Sequence, residues 1–153
     1  MKLFLDLDGV LADFDKSART IFGMSSKDFE DRYGSKEFWK QIRNEDEFFY
    51  NLPMMHDAMD LWNFSKPHDP TILTGCPFGN WAQPQKVRWV KEYLDTDKII
   101  TCLSKDKRNH ASPGDVIVDD TVKHQHLWVE MGGIFIVHTD ATSSIEELKS
   151  LGF

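Results

Sequence analysis

LFLDLDGVLADF, from Leu3 to Phe14, is the stretch that decides the fold. The apolar run Leu3 to Leu7 is too short for a helix, and it leads into Asp6, Asp8 and Gly9. Such a run reads as a strand buried on both faces of a parallel sheet. Thr71 to Leu73, Ile99 to Leu103, Val116 to Val118 and Ile134 to Val137 read the same way, each bounded by Gly, Pro or Asp. Between the last four lie stretches of helical spacing. Val87, Val90 and Leu94 recur three and four apart, with Pro84 near the helix start. Val122 to Met131 is similar. So is Ser144 to Leu151, with Glu146 and Glu147 in its first turn and Gly152 just past its end. This alternation predicts an α/β core around a Rossmann-like parallel sheet.

The stretch between the first two strands is far longer than a crossover needs. It contains no convincing strand, and apolar residues such as Phe22, Phe38, Ile42 and Trp62 are interleaved with charges. We read residues 14–66 as a helical insertion and residues 1–13 and 67–153 as the core, with Pro53 starting the helix that returns to the sheet. The full 153 residues fit one domain with a modest insertion. Counting Gly and leaving out Tyr, about 45% of the residues are apolar, which disfavours disorder.

Two cysteines, Cys76 and Cys102, are too few for a disulfide framework or a four-ligand zinc site. The formal charge of −7 gives no global attraction to nucleic acid or anionic membrane, and no basic stripe for a long strand is evident. No run is long enough to span a membrane, and the N-terminal run is cut at Asp6, too early for a signal peptide. A soluble, cytoplasmic protein is expected.

Polar residues end the strands on one side. Asp6 and Asp8 end the first, Thr74 the second, and Asp119 with Asp120 the fourth, while Ser104 to Lys107 follow the third. In an open parallel sheet these ends share one edge, where ligands bind. Carboxylates about 4 Å apart repel by about 4 kcal/mol at an effective dielectric near 20, so a cation must sit among them. Oxygen ligands without His or Cys favour Mg²⁺ over Zn²⁺. Lys105 or Lys107 adds positive charge, and Thr74 with the Gly75 backbone offers donors to an anion. Phosphate chemistry follows: one Asp attacks phosphorus while another serves as acid and then base.

DLDGVLADF (Asp6 to Phe14), ILTG (Ile72 to Gly75), KDK (Lys105 to Lys107) and IVDD (Ile117 to Asp120) together resemble the four motifs of the haloacid dehalogenase (HAD) superfamily. Within it the chain resembles the 5′(3′)-deoxyribonucleotidases, through Phe48 to Trp62 and Lys86 to Leu94 as well. The resemblance implies a sheet order of 3-2-1-4-5 with a small helical cap inserted after the first strand. It implies Asp6 as nucleophile and Asp8 as acid/base. Asp6, Asp8 (through its carbonyl) and Asp120 would hold Mg²⁺, with Asp119 supporting the metal from nearby. Thr74 and Gly75 would meet the phosphate, Lys107 would neutralise it with Lys105 as competitor, and Phe14 would face the nucleobase. Gly75 stands where the animal enzymes have serine.

The activity implied is hydrolysis of a small phosphomonoester, a deoxynucleoside monophosphate foremost, through an aspartyl-phosphate. The alternatives are another small phosphate, nucleic-acid ends, or a non-catalytic phosphoaccepting or binding domain. A response-regulator receiver needs its acid at the end of the third strand, where Cys102 and Leu103 stand.

Overall fold

The computed structural model describes residues 1–153. Five strands form one sheet: β1 (Leu3–Leu5), β2 (Thr71–Gly75), β3 (Ile99–Cys102), β4 (Val116–Asp119) and β5 (Ile134–Val137). All pair in parallel, in the order β3-β2-β1-β4-β5. β1 is central, and the chain turns from building one side of the sheet to building the other across it. That reversal opens the crevice in which ligands of such sheets bind.

Seven helices surround the sheet. α1 (Phe14–Phe22), α2 (Ser26–Tyr33) and α3 (Ser35–Asn44) lie in the long insertion. α4 (Ala58–Ser65) and α5 (Gln83–Leu94) flank β2, and α6 (Gln125–Glu130) and α7 (Ala141–Ser150) flank β5. A 3₁₀ helix, Ser104–His110, follows β3. None is long and apolar enough to cross a membrane.

Side chains alternate through each strand, so the sheet has two interiors. Leu3 and Leu5 join a cluster of 25 buried apolar residues that runs from the sheet into the insertion, whereas Phe4 joins only Leu73, Ile117 and Trp128. The thinly covered second face is where the main cleft opens, because Ile117 and Trp128 also line it.

Several boundaries differ from the sequence reading. β1 stops at Leu5 because the Leu7 carbonyl accepts from the N–H groups of Val10, Leu11 and Ala12, which folds the chain into a turn. α4 begins at Ala58, five residues beyond Pro53, whose carbonyl instead accepts from the Asp13 N–H at 2.7 Å. α7 begins at Ala141, capped by the Asp140 carboxylate, so Glu146 and Glu147 lie past its first turn. α6 starts only at Gln125, since Thr121 to His124 form the loop leading out of the crevice. In α5, Val87 is 41% exposed while Lys86 is buried, so the inward face includes Lys86, Trp89, Val90 and Leu94.

Candidate active site

The site is built at the C-terminal ends of β1, β2 and β4. Immediately after β1, Gly9 takes a φ of 85°, and a methyl group there would collide with the Asp120 carboxylate. Only glycine meets both demands, which lets the turn press against the end of β4. At Gly75 a Cβ would overlap Ser104 Oγ and lie 3.1 Å from its Cα, so a side chain there would crowd Ser104.

Three carboxylates converge there. Oxygens of Asp6, Asp119 and Asp120 all lie within 4.8 Å of one another. Asp6 and Asp119 are buried, while Asp120 is exposed at the rim as a residue but has its carboxylate packed in against Gly9. Lys107 bridges the buried two: its ammonium donates to Asp6 Oδ1 at 2.9 Å and to Asp119 Oδ2 at 2.8 Å. The other Asp119 oxygen accepts from the Thr121 N–H at 3.0 Å. Burial, then the charge of Asp6, pushes the Asp119 carboxyl up to about 6. Burial, then Asp6 and Asp119, pushes Asp120 up to about 8. Burial works against the charge on Lys107, yet Asp6 and Asp119 outweigh it and hold the ammonium protonated.

Asp8 faces the other way. Its Oδ2 accepts from Lys86 at 2.8 Å, and the same ammonium donates to Thr74 Oγ1 at 2.9 Å and to the Gly75 carbonyl at 2.8 Å. Lys86 is 1% exposed and lies 4.6 Å from the centre of the Phe49 ring. The second Asp8 oxygen, Oδ1, is buried without a hydrogen-bond partner. An unpaired buried polar atom costs about 1–3 kcal/mol, and such atoms often mark function.

The sequence reading placed Asp6, Asp119, Asp120 and Lys107 together, and they do meet. The Asp8 side chain is not part of the three-carboxylate cluster. Thr74 is fully buried, with its hydroxyl engaged by Lys86 beneath the cleft, whereas Gly75 lines the cleft itself. Lys105 is exposed and makes no ion pair, so Lys107 is the lysine that reaches the acids. Phe14 lines the cleft and also packs among Phe38, Trp39, Phe48 and Phe49 at centroid distances of 5.3 to 6.3 Å. Sequence reasoning gave Lys86 no role. Its signal was a lysine three and four residues before Trp89 and Val90, on an otherwise apolar helix face. Cys76 and Cys102 adjoin the site as thiols, since burial raises both, Cys102 to about 11.

The donor set also passes a charge test. Asp6, Asp8, Asp119 and Asp120 face two buried lysines, which leaves two negative charges when all are ionised. A hard divalent cation with oxygen ligands matches that remainder.

No family model and no curated protein matches the chain. Solved structures do. It is similar to a predicted phosphatase from Clostridium acetobutylicum, with a TM-score of 0.60 and 13% identity, over 99% of this chain and 90% of that one. A HAD-superfamily hydrolase from Ehrlichia chaffeensis gives a TM-score of 0.58 and 12% identity, over 98% and 96%. L-2-haloacid dehalogenase from Xanthobacter autotrophicus gives 0.58 and 14%, over 99% and 83%. One fold thus carries different reactions, so the reaction must be argued from the site. The chain has the Rossmann-like fold of the HAD-superfamily hydrolases.

Proposed function

We propose that the protein is a Mg²⁺-dependent phosphomonoesterase acting on a small phosphorylated metabolite, a deoxynucleoside monophosphate foremost. The observation that carries this reading is the convergence of Asp6, Asp119 and Asp120 within 4.8 Å, with Lys107 bridging two of them and Asp8 held beside them. Asp6, Asp120 and the Asp8 carbonyl would hold the cation, with Asp119 behind them. When bound, the cation would supply positive charge against the transferring phosphoryl group.

Asp6 attacks phosphorus, and the bond from phosphorus to the leaving oxygen breaks as Asp8 gives that oxygen a proton. Asp8 then takes a proton from the attacking water. The bond between phosphorus and Asp6 breaks, releasing inorganic phosphate and restoring the carboxylate. Lys86 fixes Asp8 Oδ2 and leaves Oδ1 to exchange the proton. Lys107 orients Asp6 and offsets charge on the phosphoryl oxygens. The deoxynucleotide assignment draws on the sequence resemblance and on the aromatic residues that line the cleft, Phe14, Trp39 and Trp81 among them.

Phosphate release from a nucleotide panel with Mg²⁺ tests the reading. Turnover of at least one deoxynucleoside monophosphate is expected, and Asp6→Asn should abolish it. Full activity in Asp6→Asn would remove the assigned nucleophile.

A further inference from the structure

The cleft holds more positive charge than one phosphomonoester needs. Its lining contains seven Lys or Arg residues against three Asp, in a chain whose formal charge is −7. Lys107 is committed to Asp6 and Asp119, and Arg108 is paired with Glu130 at 3.3 Å. The other five, Lys36, Lys40, Arg43, Lys105 and Lys123, make no ion pair. Elsewhere Arg19, Lys27, Lys91 and Lys98 each face a carboxylate, while Lys2, Lys16, Arg32, Lys66 and Lys149 are also unpaired but scattered; what sets the five apart is that they line one cleft.

Three of the five form a stripe. Lys36, Lys40 and Arg43 are four and three residues apart on α3, which places them on one helix face. All three are exposed, and Trp39 lines the cleft between them. The composition alone concealed this stripe, because the cations are gathered only when α3 folds over the crevice. The cleft volume, about 1030 Å³, also stands at the upper end of the range for small-molecule sites. No carboxylate pairs with these three cations, so an anion entering the cleft would meet unpartnered positive charge.

We propose that the substrate carries a second anionic group on its leaving-group side, bound by Lys36, Lys40 and Arg43, so that the preferred class is a small bisphosphate. This rests on the phosphatase reading and narrows its substrate. The finite cleft and the acidic remainder of the surface favour a small molecule over a long strand.

The test compares kcat/KM with Mg²⁺ for the four deoxynucleoside 5′-monophosphates, their 3′,5′-bisphosphates and a 5′-phosphorylated decamer. Wild-type protein is compared with Lys36→Ser/Lys40→Ser/Arg43→Ser, whose sites are solvent-exposed. The bisphosphate should be favoured over its monophosphate by at least about tenfold, the worth of one charge-assisted hydrogen bond. In the triple variant that ratio should fall towards unity. Equal use of both substrates by wild type, or a ratio unchanged in the variant, would overturn the inference while leaving the phosphatase reading intact. Preference for the decamer over the bisphosphate would overturn it in favour of strand ends. Turnover of none of them would remove the phosphatase reading and this inference together.

Discussion

Two buried lysines divide the crevice, and they are used differently. Lys107 lies between Asp6 and Asp119, inside the cluster suited to a cation. Lys86 lies beneath the crevice, tied to Asp8, Thr74 and the Gly75 carbonyl. Lys107 relieves repulsion between neighbouring acids, whereas Lys86 fixes the direction of a single acid. A buried ammonium can therefore neutralise or orient, and which it does depends on how many carboxylates it meets.

The sharpest way to break this comparison is through Asp8. Asp8→Asn keeps the shape and removes the proton exchange, so kcat should fall by about 10²–10⁴. Cation binding measured calorimetrically should change far less, because the Asp8 side chain is outside the cluster. Equal losses in both would merge the two halves.

The lysines themselves give the next largest effect. Lys107→Met strands two buried carboxylates and should cost about 3–5 kcal/mol in denaturant unfolding of the metal-free protein, whereas Lys86→Met strands the half-buried Asp8 and should cost less. Added Mg²⁺ should recover much of the loss for Lys107→Met, whose freed acids surround the cation site, and little for Lys86→Met. Equal recovery in the two variants would contradict the division.

The smallest effect is a pH dependence confined to the cluster. Asp119 and Asp120 sit at about 6 and about 8 in the metal-free fold, above the ordinary value of 3.8. The native state thus binds protons that the unfolded chain has already lost. That contribution is complete below about pH 4 and disappears as pH rises through 6 and 8. Between pH 5 and 8 these two groups should lower the Tm of metal-free protein. The Tm gain from Mg²⁺, which binds the ionised carboxylates, should be larger at pH 8 than at pH 5. A gain independent of pH would show that the acids do not share one site.

The strands and their acidic ends were legible because a parallel strand buried on both faces leaves a short apolar run, and a charge must stop it. Asp6, Asp119 and Asp120 follow from that rule alone. Lys86 was harder to see, since its helix register places it among Trp89, Val90 and Leu94, and a lysine in such company is ordinarily read as surface. The starts of α4 and α7 were misplaced because side chains and turns set them: Asp140 caps α7, and Pro53 serves a bond to Asp13. The basic face of α3 is written in the spacing of Lys36, Lys40 and Arg43, but that it overlooks the crevice depends on how the insertion packs over the sheet.

The most direct measurement is acid-quenched turnover with a ³²P-labelled deoxynucleoside monophosphate and Mg²⁺, followed by mapping of the labelled peptide. The account predicts transient, alkali-labile label on Asp6, absent from Asp6→Asn and prolonged in Asp8→Asn. Turnover with no covalent label, or with label on any residue other than Asp6, would contradict it.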